Sequence, residues 1–183
     1  HFMYKVTNYI LYAIPVFFLL IGVELLVARI TKRDVYRFSD AIANLSCGIT
    51  QQVVGVLMRT LLFAGYIYLY ENYQIWDLGV DKWWVWVVCF VGVDFFYYWF
   101  HRLAHEISVM WGGHIVHHQS EEYNLSVALR QGSFQAFSSW IFYLPLAWMG
   151  FSPLVFLVVA QFQTLYQFWI HTRLIGKMWW PIE

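Results

Sequence analysis

The sequence predicts an all-α fold, a polytopic transmembrane helical bundle, on three observations. Of its 183 residues, 61% are hydrophobic and only 12% are charged, against roughly 45–50% and about 25% in ordinary soluble domains. The hydrophobic residues form several runs close to the ~20 residues that a spanning helix needs. Lipid offers backbone groups no hydrogen-bond partner, so such runs are expected to be helical. A net charge of zero indicates no nucleic-acid partner.

Three apolar segments are predicted to cross the membrane. The first runs from Tyr9 to Ile30 and is broken only by Glu24. The second, residues 41–70, is longer than one crossing requires, so its start is expected to lie along the interface. The third, from Trp83 to about residue 104, carries Asp94 near its middle.

Two shorter apolar segments follow a polar stretch over residues 105–135. Residues 136–149 are too few to span comfortably, whereas residues 151–170 are enough. Gly150 and Pro153 mark a turn between them. We predict a helical hairpin that dips into the membrane and returns, or crosses at a tilt. Because no linker, repeat or low-complexity tract interrupts the chain, residues 1–183 are predicted to form a single membrane-embedded domain.

The charges of the short connections predict the orientation. The first connection carries four basic residues, Arg29, Lys32, Arg33 and Arg37, whereas the second carries two aspartates and one lysine. Cytoplasmic loops are enriched in lysine and arginine. The first connection is therefore expected in the cytoplasm and the N-terminus outside. Counting crossings then places the end of the third helix at the cytoplasmic membrane face.

Histidines concentrate at that predicted face. Six of the seven lie between residues 101 and 171. On a helix, residues three and four apart share one face, which applies to the first two histidines and to the next three. The last one ends the final apolar segment, which should return to the same face. The six are His101, His105, His114, His117, His118 and His171. Imidazole suits iron, zinc, copper and nickel, so this pattern predicts a metal site.

The kind of metal site is narrowed by the number of ligands. A structural zinc site closes with four ligands, and this array is richer. Haem needs one histidine above and one below its ring, which does not explain a His-His pair within a cluster. A dinuclear centre uses the whole set. A haem-binding electron-transfer protein, a metal transporter and a scaffold without catalysis stay open as alternatives, although a transporter should carry ionisable residues across the whole membrane.

Two histidine motifs resemble those of a known family. His101-Arg-Leu-Ala-His105 and His114-Ile-Val-His117-His118 are similar to the first two histidine boxes of the fatty acid hydroxylase or sterol desaturase superfamily of membrane di-iron enzymes. Residues 92–106, 117–131 and 165–172 resemble a member that cleaves ether lipids. In the family a third box lies shortly after the region matching residues 181–183. We therefore expect the chain to continue, because the centre drawn from this sequence lacks that box.

The resemblance implies a cofactor, a substrate class and a reaction. Two iron ions would be held by the six histidines, and zinc can replace iron in preparations. With O2, the enzyme would hydroxylate a lipid, cleaving the ether bond of an alkylglycerol with electrons from tetrahydrobiopterin or a redox protein. The alternative is a sterol or fatty-acid hydroxylase or desaturase with another electron donor. The resemblance also implies the endoplasmic reticulum in a eukaryote or the inner membrane in a bacterium.

Further polar residues are candidates for supporting roles. Metal-bound histidines need an acceptor on the second ring nitrogen, for which the candidates are Asp94, Glu106, Glu121, Glu122 and Gln167. For Asp94 the alternative is a structural ion pair with Arg59, because an ionisable residue at membrane depth is costly. For the two adjacent glutamates the alternative is a solvated loop. Candidates for the polar end of a substrate pocket are Tyr123, Asn124 and Arg130. For these three the alternative is helix capping or hydrogen bonding within the loop.

Overall fold

The computed structural model describes residues 9–176, apart from the side chain of Leu57. Within that range the regular structure is helical and no strand occurs, so the all-α prediction is confirmed. The helices are α1 (Tyr9–Ile30), α2 (Phe38–Tyr73), α3 (Trp83–Glu106), α4 (Ser108–His118), α5 (Gln135–Trp148) and α6 (Pro153–Phe168), with a 3-10 turn at Val127–Leu129. The predicted apolar segments match α1, α2, α3, α5 and α6.

Two of these helices have the length and hydropathy of membrane spans. They are α1, with 22 residues, and α3, with 24 residues. Helix α2 bends by 49° between its halves Phe38–Val56 and Met58–Tyr73, and the two halves together would make a third span. Helices α5 and α6 are shorter, with 14 and 16 residues. With these helices and its apolar composition, the chain is an integral membrane protein.

The α5–α6 hairpin turns at Gly150 and is fixed to the loop that follows α2. Gly150 has φ +95, and a Cβ there would lie 1.7 Å from the carbonyl oxygen of Trp76, so only glycine fits this turn. The amide of Ile75 donates to the carbonyl of Trp148 at 2.9 Å. These contacts lie at the end of the bundle away from the histidines and direct α6 back toward them.

Helix α3 is the central element of the bundle, because it packs against α4, α5 and α6. Its buried residues Val85, Cys89 and Val93 form one apolar core with residues of α2, α5 and α6. Helix α1 joins through α6, where the rings of Phe17 and Phe168 stack with centroids 4.2 Å apart. Lateral packing of these helices brings the C-terminal ends of α1, α3 and α6 to one end of the bundle, together with α4.

Candidate metal centre

Six histidines from α3, α4 and the end of α6 converge at this end of the bundle. Four of them, His101, His105, His114 and His118, offer ligand nitrogens that all lie within 4.8 Å of one another. We call these four the tetrad. His114 is buried, whereas His105 and His118 are exposed, so the tetrad opens on one side.

The remaining two histidines form a pair beside the tetrad, which we call the His117–His171 pair. Their rings lie 5.3 Å apart between centroids. His117 also adjoins the tetrad, because its ring centroid is 5.3 Å from that of His118. The structure thus brings together all six histidines that the sequence analysis identifies. They come from α3, from α4 and from the segment that follows α6.

The Nε2 atoms of the six rings form three close pairs. The Nε2–Nε2 distances are 3.2 Å for His101 and His105, 3.1 Å for His114 and His118, and 3.4 Å for the His117–His171 pair. Two nitrogens that each lie about 2.1 Å from one ion are roughly 3.0–3.4 Å apart at ordinary tetrahedral or octahedral angles. All three spacings would therefore allow the two nitrogens to bind one metal ion.

Hydrogen bonds on the opposite ring nitrogens fix the rings in this orientation. The Nδ1 atom of His117 lies 2.8 Å from the carbonyl oxygen of Arg130, and that of His171 lies 2.7 Å from the carbonyl oxygen of Gln167. The Nδ1 of His114 is 3.3 Å from Oε1 of Gln135. Such outer acceptors set the tautomer and the basicity of a metal-bound histidine.

The two backbone acceptors determine which ring nitrogens of the His117–His171 pair carry a proton. A carbonyl oxygen only accepts hydrogen bonds, so both Nδ1 atoms must carry the proton. In neutral rings both Nε2 atoms then hold unshared electron pairs, and these face each other across 3.4 Å. Two acceptors at this distance repel unless a cation lies between them. A metal ion satisfies both nitrogens at once.

Burial keeps the histidines of α4 and His171 in the form that binds metal. Burial lowers the pKa of His114 to about 4, and the neighbouring imidazoles of His101 and His118 act in the same direction. Burial also lowers the pKa of His117, His118 and His171. Neutral imidazole is the metal ligand, so no proton has to be displaced from these rings at neutral pH.

The donor set fits iron or zinc better than haem. Imidazole nitrogens suit both ions. Neighbouring rings contact one another directly, as in the edge-to-face packing of His105 on His118 with centroids 4.7 Å apart, and Trp111 packs against both of these rings. A porphyrin between two such rings has no space in this arrangement.

Three predicted support residues make contacts other than those expected. Asp94 accepts a hydrogen bond from Nε2 of Gln163 on α6 at 2.5 Å, while Arg59 donates to Gln52 at 3.0 Å. The suggested Asp94–Arg59 ion pair is therefore wrong. Glu106 pairs with Arg102 at 3.1 Å on the exposed surface of α3. Gln167 supports His171 through its backbone carbonyl, which any residue in its place would offer.

The adjacent glutamates bind arginines rather than histidines. Glu121 pairs with Arg37, and Glu122 pairs with both Arg37, at 3.3 Å, and Arg173, at 3.5 Å. Exposed ion pairs contribute little energy individually. Together they connect the loop after α4 to the segments that follow α1 and α6.

An open cleft lies beside the histidines on this loop. Its volume is about 140 Å³, and its walls include Tyr123 and both glutamates next to His117 and His118. The Tyr123 ring stacks on His171 with centroids 5.7 Å apart, and its hydroxyl donates to the carbonyl of Ile170 at 3.2 Å. Tyr123 thus lines the cleft beside the His117–His171 pair, and its substrate contact stays a prediction.

Asn124 and Arg130, the other two predicted substrate contacts, are buried and bonded within the protein. Asn124 donates to the carbonyl of Val35 at 2.6 Å. The Arg130 guanidinium donates to the carbonyl of Val116 at 2.6 Å and to Oδ1 of Asn44 at 2.9 Å. Their side chains shape the loop that carries the His117 acceptor, so the substrate role is not retained for them.

Sequence reasoning missed three residues that contact the centre or its loop. Gln135 contacts His114, and Trp111 packs on the tetrad; neither residue type carries a distinctive signal. Glu24 accepts hydrogen bonds from the segments around the His117–His171 pair. Its signal was present, because it is the one acidic residue in the apolar run of α1, and ionisable residues at membrane depth are costly and often functional.

The fold and the site define an integral membrane protein with a histidine-built candidate metal centre at one end of its helices. Comparison with known families identifies the family to which the chain belongs. The family model for fatty acid hydroxylase matches residues 86–183, and the chain therefore belongs to the fatty acid hydroxylase family. That range contains all six histidines of the centre.

Curated relatives extend the likeness to nearly the whole chain. The chain is 46% identical to alkylglycerol monooxygenase of Homo sapiens over 180 residues, which is 98% of the chain and 40% of the relative. It is likewise 46% identical to the Danio rerio protein of that name, and 44% identical to the Xenopus tropicalis protein over 97% of the chain. The chain spans about two fifths of the length of these relatives. No solved structure matches it significantly.

Proposed function

We propose that this chain is the histidine-bearing part of a membrane di-iron monooxygenase that acts on alkylglycerol lipids. The observation that carries the proposal is the approach of six Nε2 atoms in three pairs, above all the 3.4 Å spacing in the His117–His171 pair. Membership of the fatty acid hydroxylase family supports oxygen-dependent chemistry. Similarity to three alkylglycerol monooxygenases supports the ether lipid as substrate.

The six histidines would provide different numbers of ligands to the two ions. The tetrad would supply four ligands to one ion, and the His117–His171 pair would supply two to the other. The third histidine box that the resemblance implies would complete the second ion's ligands. Bound iron would supply the activation of O2, as metal cofactors carry the redox chemistry that side chains cannot. Zinc can occupy the same imidazole sites without redox activity.

The protein's own residues would position the lipid at the membrane face. The cleft beside His117 and His118 is polar where Tyr123 and the glutamates line it, and a glycerol head group suits such a surface. The alkyl tail would stay in the bilayer against the apolar surfaces of the helices. The basic connection around Arg29 and Arg37 supports the cytoplasmic side for this face, in the endoplasmic reticulum of a eukaryote or the inner membrane of a bacterium.

The proposed reaction balances as a monooxygenation. The C–H bond next to the ether oxygen becomes C–OH, with one oxygen atom from O2, and the second oxygen atom leaves as water. Tetrahydrobiopterin supplies the two electrons and two protons that this requires. The hemiacetal so formed breaks its bond to the glycerol oxygen, which takes a proton, and yields a fatty aldehyde and a glycerol derivative.

The first test is the metal content and optical spectrum of the detergent-purified full-length protein. We expect about two iron ions per chain, no Soret band, and fatty aldehyde formed from an alkylglycerol with tetrahydrobiopterin. The variant His117→Ala/His118→Ala should lose metal and product. Gln119→Ala, at an exposed position after the same helix, is the matched control and should keep both. A Soret band, or metal content that does not depend on these histidines, would overturn the proposal.

A further inference from the structure

A buried acidic residue of α1 lies outside the region that the family model matches. Glu24 is 4% exposed, and the match begins at residue 86. The carboxyl group of Glu24 accepts three hydrogen bonds. Tyr36 and the amide of Leu125 donate to Oε2 at 2.5 and 2.8 Å, and the hydroxyl of Thr172 donates to Oε1. A buried polar group left without partners is costly, so the three donors account for its place in α1.

Two of these donors belong to the segments that orient the His117–His171 pair. Thr172 directly follows His171. Leu125 lies in the loop that leads to Arg130, whose carbonyl accepts the hydrogen bond from His117. One carboxyl group therefore joins the two chain segments whose relative position determines the 3.4 Å Nε2–Nε2 spacing.

Neighbouring contacts hold this arrangement in place. Burial, reinforced by the bond to Glu24, raises the pKa of Tyr36 above its usual range, so the phenol stays protonated and donates. Thr172 also accepts from the amide of Leu174 at 3.1 Å, which fixes the turn after His171. The stacked rings of Phe17 and Phe168 hold α1 against the end of α6.

The tetrad shares α4 with His117, but its remaining support comes from other elements. Its members lie on α3 and α4, and Oε1 of Gln135 on α5 is the acceptor beside Nδ1 of His114. The bonds of Glu24 instead reach the segments on either side of the pair. A change at Glu24 should therefore affect the pair before the tetrad.

We propose that Glu24 is a positioning residue for the metal ion bound by the His117–His171 pair, which makes α1 part of the metal centre. The inference rests on the proposed di-metal function. It assigns the second ion a support that comes from the chain before the matched region.

The test removes the bond between Glu24 and the turn after His171. In the detergent-purified full-length protein, Thr172→Val is compared with Thr164→Val, which makes the same chemical change on α6, where the hydroxyl only donates to the carbonyl of Ala160 at 3.0 Å. Metal-free protein is titrated with Co²⁺ and followed by its visible absorption. Loss of a ligand's hydrogen-bond partner typically weakens metal binding about 10–100-fold. Thr172 acts one bond further from the ligand, so the lower end, about 10-fold, applies. We expect that loss for the second equivalent in Thr172→Val only, with the first equivalent bound as in the wild type.

A second substitution checks the carboxyl group itself. Glu24→Leu should lose the second equivalent. Glu24→Gln should restore part of it, because an amide oxygen still accepts from Leu125 and the NH2 group can donate to the hydroxyl of Thr172. Thermal unfolding of each variant is measured beside the titration.

The outcomes separate this inference from the proposed function. Two equivalents of unchanged affinity in Thr172→Val and Glu24→Leu would overturn the role of Glu24 and leave the di-metal proposal standing. Loss of both equivalents together with unfolding would show a general structural role and also overturn it. Fewer than two equivalents in the wild-type protein would overturn both.

Discussion

The Nε2 atoms of His117 and His171 lie 3.4 Å apart, although 54 positions separate the two residues in the chain. Each ring is oriented by a backbone carbonyl of its own neighbourhood, that of Arg130 for His117 and that of Gln167 for His171. The fold thus directs the two nitrogens toward each other. Rings oriented in this way would lose little conformational entropy on binding the proposed ion.

Gln135→Leu should weaken metal binding without unfolding the protein. The substitution removes the acceptor 3.3 Å from Nδ1 of His114, and such a loss typically costs about 10–100-fold in metal affinity. Ser138→Ala, on the same helix, removes a hydroxyl that donates to the backbone of Gln135 and should leave affinity unchanged. Competition with a chromophoric chelator measures both variants. Equal affinities would show that Gln135 does not support His114.

Metal-free protein should lose stability as the pH falls from about 6.5 to about 4. Burial lowers the pKa of His114 to about 4, while an unfolded histidine titrates near 6.5. Between these values the unfolded chain binds more protons than the folded one, so the free energy of unfolding rises with pH. The lowered pKa values of His117, His118 and His171 act in the same direction.

Thermal unfolding at several pH values measures this dependence. The midpoint for metal-free protein should drop between pH 7 and pH 5. His114→Asn, which has no titrating ring, should show a shallower slope than the wild type. A midpoint independent of pH over this range would contradict neutral, buried histidines.

Gly132→Ala should destabilise the fold near the centre. A Cβ at Gly132 would lie 2.0 Å from the carbonyl oxygen of Gly113 in α4, and such overpacking costs typically 1–3 kcal/mol, as an order of magnitude. Gly112→Ala is the control, because nothing lies within 4 Å of its Cβ and alanine is the better helix former. Unfolding in detergent, followed by circular dichroism, should separate the two. Equal stability of the two variants would contradict the close contact between Gly132 and the carbonyl of Gly113.

Asp94 should couple energetically to Gln163 and not to Arg59. Residues in contact show coupling energies of about 0.5–3 kcal/mol in double-mutant cycles, and distant ones add. Alanine substitutions at the three positions, alone and in pairs, give both cycles from unfolding free energies. Asp94→Asn should also keep the wild-type metal content, since its hydrogen bond goes to α6. Coupling to Arg59, or loss of metal, would restore the sequence-based expectations.

Hydropathy and periodicity predicted most of the fold. Helix α1 has the predicted ends, and α3 ends within two residues of the prediction, because lipid forces apolar runs into helices. The convergence of the histidines followed from their spacing and from the return of α6. The hydrogen-bond partner of Asp94 could not be predicted from the sequence. It depends on the rotation of α3 about its axis, which is set by packing against α6 and which no local pattern encodes.

The support of the centre was the least predictable part. The acceptors for His117 and His171 are backbone carbonyls, which every residue has, so no side-chain type marks them. Asn124 and Arg130 were candidates for the polar end of a substrate pocket, and hydrogen bonds within the loop were the alternative. Their burial follows from bonds to Val35, Val116 and Asn44, which come from parts of the chain that only the tertiary fold brings together.

The single residue between α3 and α4, Ile107, has a consequence for biogenesis. The tetrad is complete within residues 101–118, on two consecutive helices, whereas the His117–His171 pair waits for a residue made later. Chains fold from the N-terminal side during synthesis. In the proposed di-metal centre the two ions therefore need not arrive together, and we expect the nascent protein to acquire its first ion at the tetrad while the hairpin that precedes His171 is still being inserted.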